Sequence, residues 1–190
     1  MAESGQLFYL MGASGAGKDS LIRYAQQRLI RQKSIVFAQR YITRPNNTEN
    51  DGNHYAIAPA EFEQLLKNDF FALHWNRHGF HYGIRREIDT WLREGKKVVI
   101  NGSRQYYLTA QKIYPQLHAI LVKADREILH KRLLTRQRDS PGNIEKRMQW
   151  AEDHFNFKSQ NNLFSIIENN SSLKIAGEKF LDILQPNRTT

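Results

Sequence analysis

The chain has no cysteine. That excludes disulfides and thiolate metal ligands, and it fits a reducing compartment. No apolar run approaches the roughly 20 residues a membrane-spanning helix needs. Residues 1–6 lack a basic stretch followed by an apolar one, so no signal peptide is expected and the cytoplasm is the expected location. Internal repeats and low-complexity segments are also absent. Acidic residues are in short supply: 19 Asp and Glu stand against 28 Lys and Arg, a net charge of +9. Such an excess calls for an anionic partner. The basic residues do not interleave with aromatics in a nucleic-acid reading motif, so small phosphorylated molecules are the expected partners, with neither nucleic acid nor membrane. A homodimer is left open.

What remains is an ordinary globular composition, 40% hydrophobic and 25% charged over 190 residues. That length suits one domain with a real core. Leu7–Met11 is a short apolar run that reads as a buried strand, followed by a glycine-rich turn and, from Lys18, a helix whose Leu21, Ile22, Ala25, Leu29 and Ile30 share a face. Residues 34–40 read as a second strand. Residues 43–52 are turn-rich, and short strands at 55–58, 70–74 and 81–84 with a helix at 59–66 read as an inserted lobe. Further on come a helix at 88–94, strand 97–100, helix 108–113, strand 117–122, helix 125–135, a polar break at 137–142, a long helix at 143–159, strand 164–167 and helix 172–184. The alternation predicts an α/β fold of the P-loop type: about five parallel strands flanked by helices. The core is expected at 1–40 and 86–190, a small acceptor-binding lobe at about 41–85, and an arginine-rich lid at about 136–142.

The sequence Gly12-Ala13-Ser14-Gly15-Ala16-Gly17-Lys18-Asp19-Ser20 fits G-x-x-x-x-G-K between a strand and a helix. Glycines let successive backbone N–H groups point into one concavity, and the next helix turns its positive end to the same place. Lys18 is placed to reach the β- and γ-phosphates of ATP. The hydroxyl residue that usually follows the lysine is replaced by Asp19, with Ser20 one position later. A carboxylate is a hard oxygen donor, so Asp19 is the candidate Mg²⁺ ligand, the alternative being that it only favours the helix N-terminus.

Arg132 and Arg136 lie four apart and share a helix face, and Arg138 follows before the break at residues 139–142. Arginines on a closing segment can clamp a transferred phosphoryl group, so Arg132 and Arg136 join Lys18 as catalytic candidates. Arg147 lies on the next helix. His74, His78 and His81 are close together but match no compact zinc spacing.

The P-loop, Thr43-Arg44, Asn53-His54-Tyr55, Glu61-Phe62, Gly79-Phe80-His81-Tyr82-Gly83 and the 132–140 segment fall in the order seen in guanylate kinases. The likeness runs from Leu7 to about His154. By that resemblance Arg44, Tyr55 and Tyr82 bind the acceptor's phosphate. The residues expected to read guanine differ. Leu73 stands where a glutamate belongs, Asn101 and Ser103 stand where aspartates belong, and Asn47 replaces a second arginine. Leu73 cannot accept a hydrogen bond from guanine, so guanylate is not the expected acceptor. The chain resembles a narrower family through Gly12–Ser20, Tyr41-Ile42-Thr43-Arg44-Pro45, His78-Gly79 with Tyr82-Gly83-Ile84, and Asn101-Gly102-Ser103-Arg104. This is the ribose 1,5-bisphosphate phosphokinases of bacterial phosphonate catabolism, in which the Lys-Asp-Ser ending of the loop is expected.

That resemblance implies ATP-dependent phosphorylation of ribose 1,5-bisphosphate to 5-phospho-α-D-ribose 1-diphosphate. ATP and Mg²⁺ are then the cofactors. Arg44, Tyr55, Tyr82, Asn101, Ser103 and Arg104 become the substrate-binding candidates. Arg40, Arg77 and Arg104 suit a ligand with two phosphates and no base. The acceptor phosphate is already nucleophilic, so no general base is expected. The competing readings are a nucleoside monophosphate kinase and a non-catalytic guanylate-kinase-like binding module. The intact loop argues against the latter.

Overall fold

The computed structural model describes residues 5–43, 54–77, 79–135 and 164–186. Two sheets organise them. The larger has five parallel strands, β1 (Gln6–Gly12), β2 (Ile35–Phe37), β7 (Lys97–Asn101), β8 (His118–Lys123) and β9 (Phe164–Glu168), in the order β2-β7-β1-β8-β9. The smaller has four strands, β3 (Arg40–Ile42), β4 (His54–Ala56), β5 (Phe71–Arg77) and β6 (Phe80–Arg85), in the order β4-β3-β6-β5. The helices are α1 (Lys18–Arg28), α2 (Pro59–Lys67), α3 (Glu87–Arg93), α4 (Tyr107–Ile113), α5 (Arg126–Thr135) and α6 (Leu173–Leu184).

A parallel sheet covered on both faces needs strands that are apolar at every position. Residues Leu7–Met11 of β1 meet that condition. Its alternate residues Phe8 and Leu10 join a layer with Leu21, Ala25, Val99, Ile120, Phe180 and Leu181 under α1 and α6. Leu7, Tyr9 and Met11 join the opposite layer with Val98, Ile100, Ala119 and Ile88, and with Leu73, Trp75 and Ile84 of the smaller sheet. Leu10, Leu21, Ile100 and Ile120 are fully enclosed, each stabilising the fold by roughly 1.5–3 kcal/mol. The second layer therefore joins the lobe to the main sheet through packed side chains.

The run expected as one strand at 34–40 divides between the two sheets. β2 pairs with β7, the Ala38 amide still donates to the Val99 carbonyl (2.9 Å), and from Arg40 the chain pairs with β4 and β6 instead. Local propensity alone does not set such a change of partner. The helix expected at 143–159 and the lid at 136–142 lie outside the described residues, as does Arg147. Among the described residues no helix is long and apolar enough to cross a membrane, and no cluster of three or more acidic, His or Cys residues could hold a metal.

Candidate active site

The C-terminal ends of β1, β7 and β9 meet at one edge of the main sheet, where open α/β sheets place their ligands. β1 runs into the loop 12–17. Gly15 and Gly17 have φ of 86° and 94°, a region that L side chains rarely adopt. Gly17 is the N-cap of α1 and supplies no capping side chain. The first-turn amides are thus left to an anion. Leu129 and Leu133 of α5 lie beneath Gly15 and support the loop.

The Lys18 ammonium donates to the carbonyls of Gly12 and Ala13, both at 3.0 Å, and so folds back over the loop. Desolvation lowers its pKa from 10.5 to about 7; Asp19 opposes the shift, while the charges of Arg40, Arg77 and Arg104 add to it. Three guanidiniums acting on one ammonium, with one carboxylate among them, make this edge a site for anions.

Asp19 is held in place. Its Oδ1 accepts from Asn101 Nδ2 at 2.6 Å and faces Arg40 NH2 at 3.4 Å. Asn101, at the end of β7, thus reaches the donor side of the site. The Asn101 Oδ1 is buried with no hydrogen-bond partner, as are Ser103 Oγ and Arg40 Nε. Buried polar atoms without partners are uncommon and costly. An orphaned carbonyl oxygen beside a carboxylate is the hard-oxygen chemistry that suits Mg²⁺, so the residues present fit that ion. Ser14 and Ser20 sit half-buried at the mouth and on the first turn of α1.

Two features were not anticipated from sequence. Asn169, just past β9, is buried, and its Nδ2 donates to the Ala16 carbonyl at 2.8 Å. A Cβ on Gly17 would come within 2.3 Å of that nitrogen. Arg132 reaches the same corner, donating to the Asn169 carbonyl at 3.0 Å and the Gly15 carbonyl at 3.5 Å. The only sequence signal was the polar pair Asn169-Asn170 directly after an apolar strand. The second feature is Tyr9. From the fully buried middle of β1 its hydroxyl donates to the Ser103 carbonyl and accepts from the Ser103 amide, each at 2.9 Å. Burial drives its pKa upward, so it stays a neutral strut. Gly102 is required beside it, because a Cβ there would fall 2.1 Å from the Tyr9 ring.

On the lobe, Tyr82 stacks on Trp75 (5.5 Å, 3°), and Trp75 stacks in turn on Tyr106 (5.5 Å, 26°). The Arg40 guanidinium lies 6.0 Å from the Tyr82 ring centre. Tyr55 is elsewhere. It pairs with Tyr41, which pairs with Gly83, the neighbour of Tyr82, so strand alternation puts Tyr55 on the opposite face of the sheet from Tyr82. There it packs against Tyr41 at 5.1 Å and is 47% exposed. The structure therefore brings together Lys18, Asp19, Asn101, Ser103, Arg132 and Tyr82, with Arg104 near enough to act on Lys18, and does not bring Tyr55 to them. Arg44 and Arg136 lie outside the described residues.

The chain is similar to known proteins in sequence and in fold. The guanylate kinase family model matches residues 4–187. A ribose 1,5-bisphosphate phosphokinase PhnN of Psychromonas ingrahamii is 46% identical over 181 residues, covering 95% of this chain and 90% of its own. One from Thiobacillus denitrificans is 44% identical over 180 residues, covering 95% and 93%. A crystal structure of guanylate kinase from Anaplasma phagocytophilum superposes with a TM-score of 0.68 over all of this chain and 90% of the other, at 17% identity, a likeness of fold. The chain belongs to the guanylate kinase family and, within it, to the ribose 1,5-bisphosphate phosphokinases.

Proposed function

We propose that the protein transfers the γ-phosphoryl group of ATP to the 1-phosphate of ribose 1,5-bisphosphate, giving 5-phospho-α-D-ribose 1-diphosphate, in the cytoplasm and in the service of phosphonate breakdown. The observation that carries the acceptor assignment is the charge beside the P-loop, where three arginines act on Lys18. Leu73 is fully buried in the shared core layer and offers no acceptor to a base, while Arg40, Arg77 and Arg104 put positive charge on the P-loop side. A ligand rich in phosphate and lacking a base matches that charge.

Phosphoryl transfer asks the protein mainly for position and charge. The amides of residues 13–18 cradle the donor's phosphates, and Lys18 leaves its two carbonyl partners to bind the β- and γ-oxygens. Arg132 and Arg136 close over the transferring group. Asp19, steadied by Asn101 and Arg40, would hold Mg²⁺ together with the Asn101 carbonyl oxygen, and the ion would offset charge on the donor phosphates. Arg44 and Tyr82 hold the acceptor phosphate in line; as a phosphate it is ionised at neutral pH, so no residue need remove a proton.

Phosphorus NMR of ATP, Mg²⁺ and ribose 1,5-bisphosphate with the protein tests this. The expected result is a pair of coupled diphosphate resonances from the product alongside those of ADP. Faster consumption of GMP or another nucleoside monophosphate would sink the sugar assignment.

A further inference from the structure

Strand register shows which lobe residues look toward the P-loop. Arg40 pairs with Ile84, Trp75 with Tyr82, and Arg77 with Phe80. Ile84, Tyr82 and Phe80 alternate along β6, so Arg40, Trp75 and Arg77 share their face. It is the face that packs on the main sheet, because Leu73, Trp75 and Ile84 are buried in one layer with Tyr9 and Met11. Along it the stacked pair Trp75–Tyr82 lies between the register positions of Arg40 and Arg77. The two arginines stand opposite β6 residues four positions apart, about 13 Å at 3.3 Å per residue. The charges of both act on Lys18.

The two ends differ. Arg40 is the donor end, since its NH2 lies 3.4 Å from Asp19 Oδ1 and its buried Nε has no acceptor. A guanidinium is a fork built to meet an oxyanion along one edge. Arg77 is the last residue of β5, next to the turn at Gly79, and marks the far end. An acceptor with a single phosphate needs one such station. Two stations separated by an aromatic pair suit a small molecule with a phosphate at each end.

We propose that Arg40 and Arg77 bind the two acceptor phosphates separately: Arg40 the phosphate that receives the phosphoryl group, Arg77 the remote one, with the sugar lying beside Tyr82 between them. The proposal rests on the bisphosphate assignment above and adds the orientation of the substrate. It makes Arg77 a specificity residue that rejects acceptors lacking a second phosphate.

Calorimetric titration with two half-ligands, ribose 5-phosphate and α-ribose 1-phosphate, tests it on the wild type, Arg40→Gln and Arg77→Gln, all saturated with adenylyl imidodiphosphate and Mg²⁺. Arg77→Gln is expected to weaken ribose 5-phosphate at least tenfold and α-ribose 1-phosphate less than threefold. Arg40→Gln is expected to show the reverse. Arg77→Lys should recover part of the loss, and thermal melts check that each variant folds. Equal loss of both half-ligands, loss of neither, the reversed pattern, or no binding of either to the wild type overturns the clamp. Turnover of ribose 1,5-bisphosphate by the wild type separates the two claims. Its absence removes the acceptor assignment itself, and its presence without selective loss removes only the orientation.

Discussion

Lys18 gives a quantitative handle on the P-loop. Its pKa is lowered to about 7, first by desolvation and then by the arginines beside it. At pH 8 about nine-tenths of the free protein then carries a neutral lysine. ATP brings four negative charges to that amine, which returns it to the ammonium form, so binding must take up close to one proton per site. The sign of the pH dependence follows. Above pH 7 each molecule bound costs a proton drawn from a falling supply, so affinity weakens as pH rises. Between pH 7 and 9 the loss is roughly 50-fold, the ratio of the two neutral-plus-charged partition sums. The nucleotide's terminal phosphate, with a pKa of about 6, contributes little there. Calorimetry at pH 8 in buffers of different ionisation enthalpy reads the uptake directly. A Lys18→Arg variant keeps its charge throughout and should bind with no uptake and a flat profile. The linked effect on the free protein has the opposite sense. The unfolded chain holds the extra proton between pH 7 and 10.5, so the cost of burying this group is full below pH 7 and fades as pH rises toward 10.5. Wild-type uptake below about 0.2 proton, with affinity level from pH 7 to 9, would refute the reasoning.

Three other outcomes are expected. Tyr9→Phe leaves the buried Ser103 amide and carbonyl without their partner, and should cost about 1–3 kcal/mol in denaturant unfolding while raising the acceptor KM more than the ATP KM. Asn169→Ala frees the Ala16 carbonyl and removes the stop against Gly17; the ATP KM should rise about 5- to 30-fold, equivalent to 1–2 kcal/mol, with the acceptor KM unchanged in steady-state assays. Asp19→Ala should raise the Mg²⁺ concentration needed for half-maximal rate at least tenfold, and an unchanged requirement would return Asp19 to a role at the helix N-terminus alone.

The phosphate loop was legible because its signals are local: an apolar strand, glycines where φ turns positive, a lysine and an amphipathic helix. The five-strand count followed from apolar runs such as 97–100 and 117–122. Their order did not, since β7 inserts between β1 and β2 through contacts distant in sequence. The division of 34–40 between two sheets was hidden for the same reason. Asn101 was legible as a strand-end ligand candidate, but its bond to Asp19 spans 82 positions. Asn169 left only the polar pair it forms with Asn170, which looks like an ordinary loop, and the Tyr9 strut looks like any core aromatic. Tyr55 reads as a partner of Tyr82 along the chain, yet the parallel pairing of β3 with β4 turns it to the other face.

The passage of the chain from Ala38 to Arg40 has a mechanical consequence. Ala38 is still bonded to the main sheet, Arg40 already belongs to the lobe, and only Gln39 stands between them. Any tilt of the lobe about that joint swings the Arg40 guanidinium on a short lever against Asp19. An acceptor that tilted the lobe would thereby act on the nucleotide side by leverage rather than through a long relay of side chains.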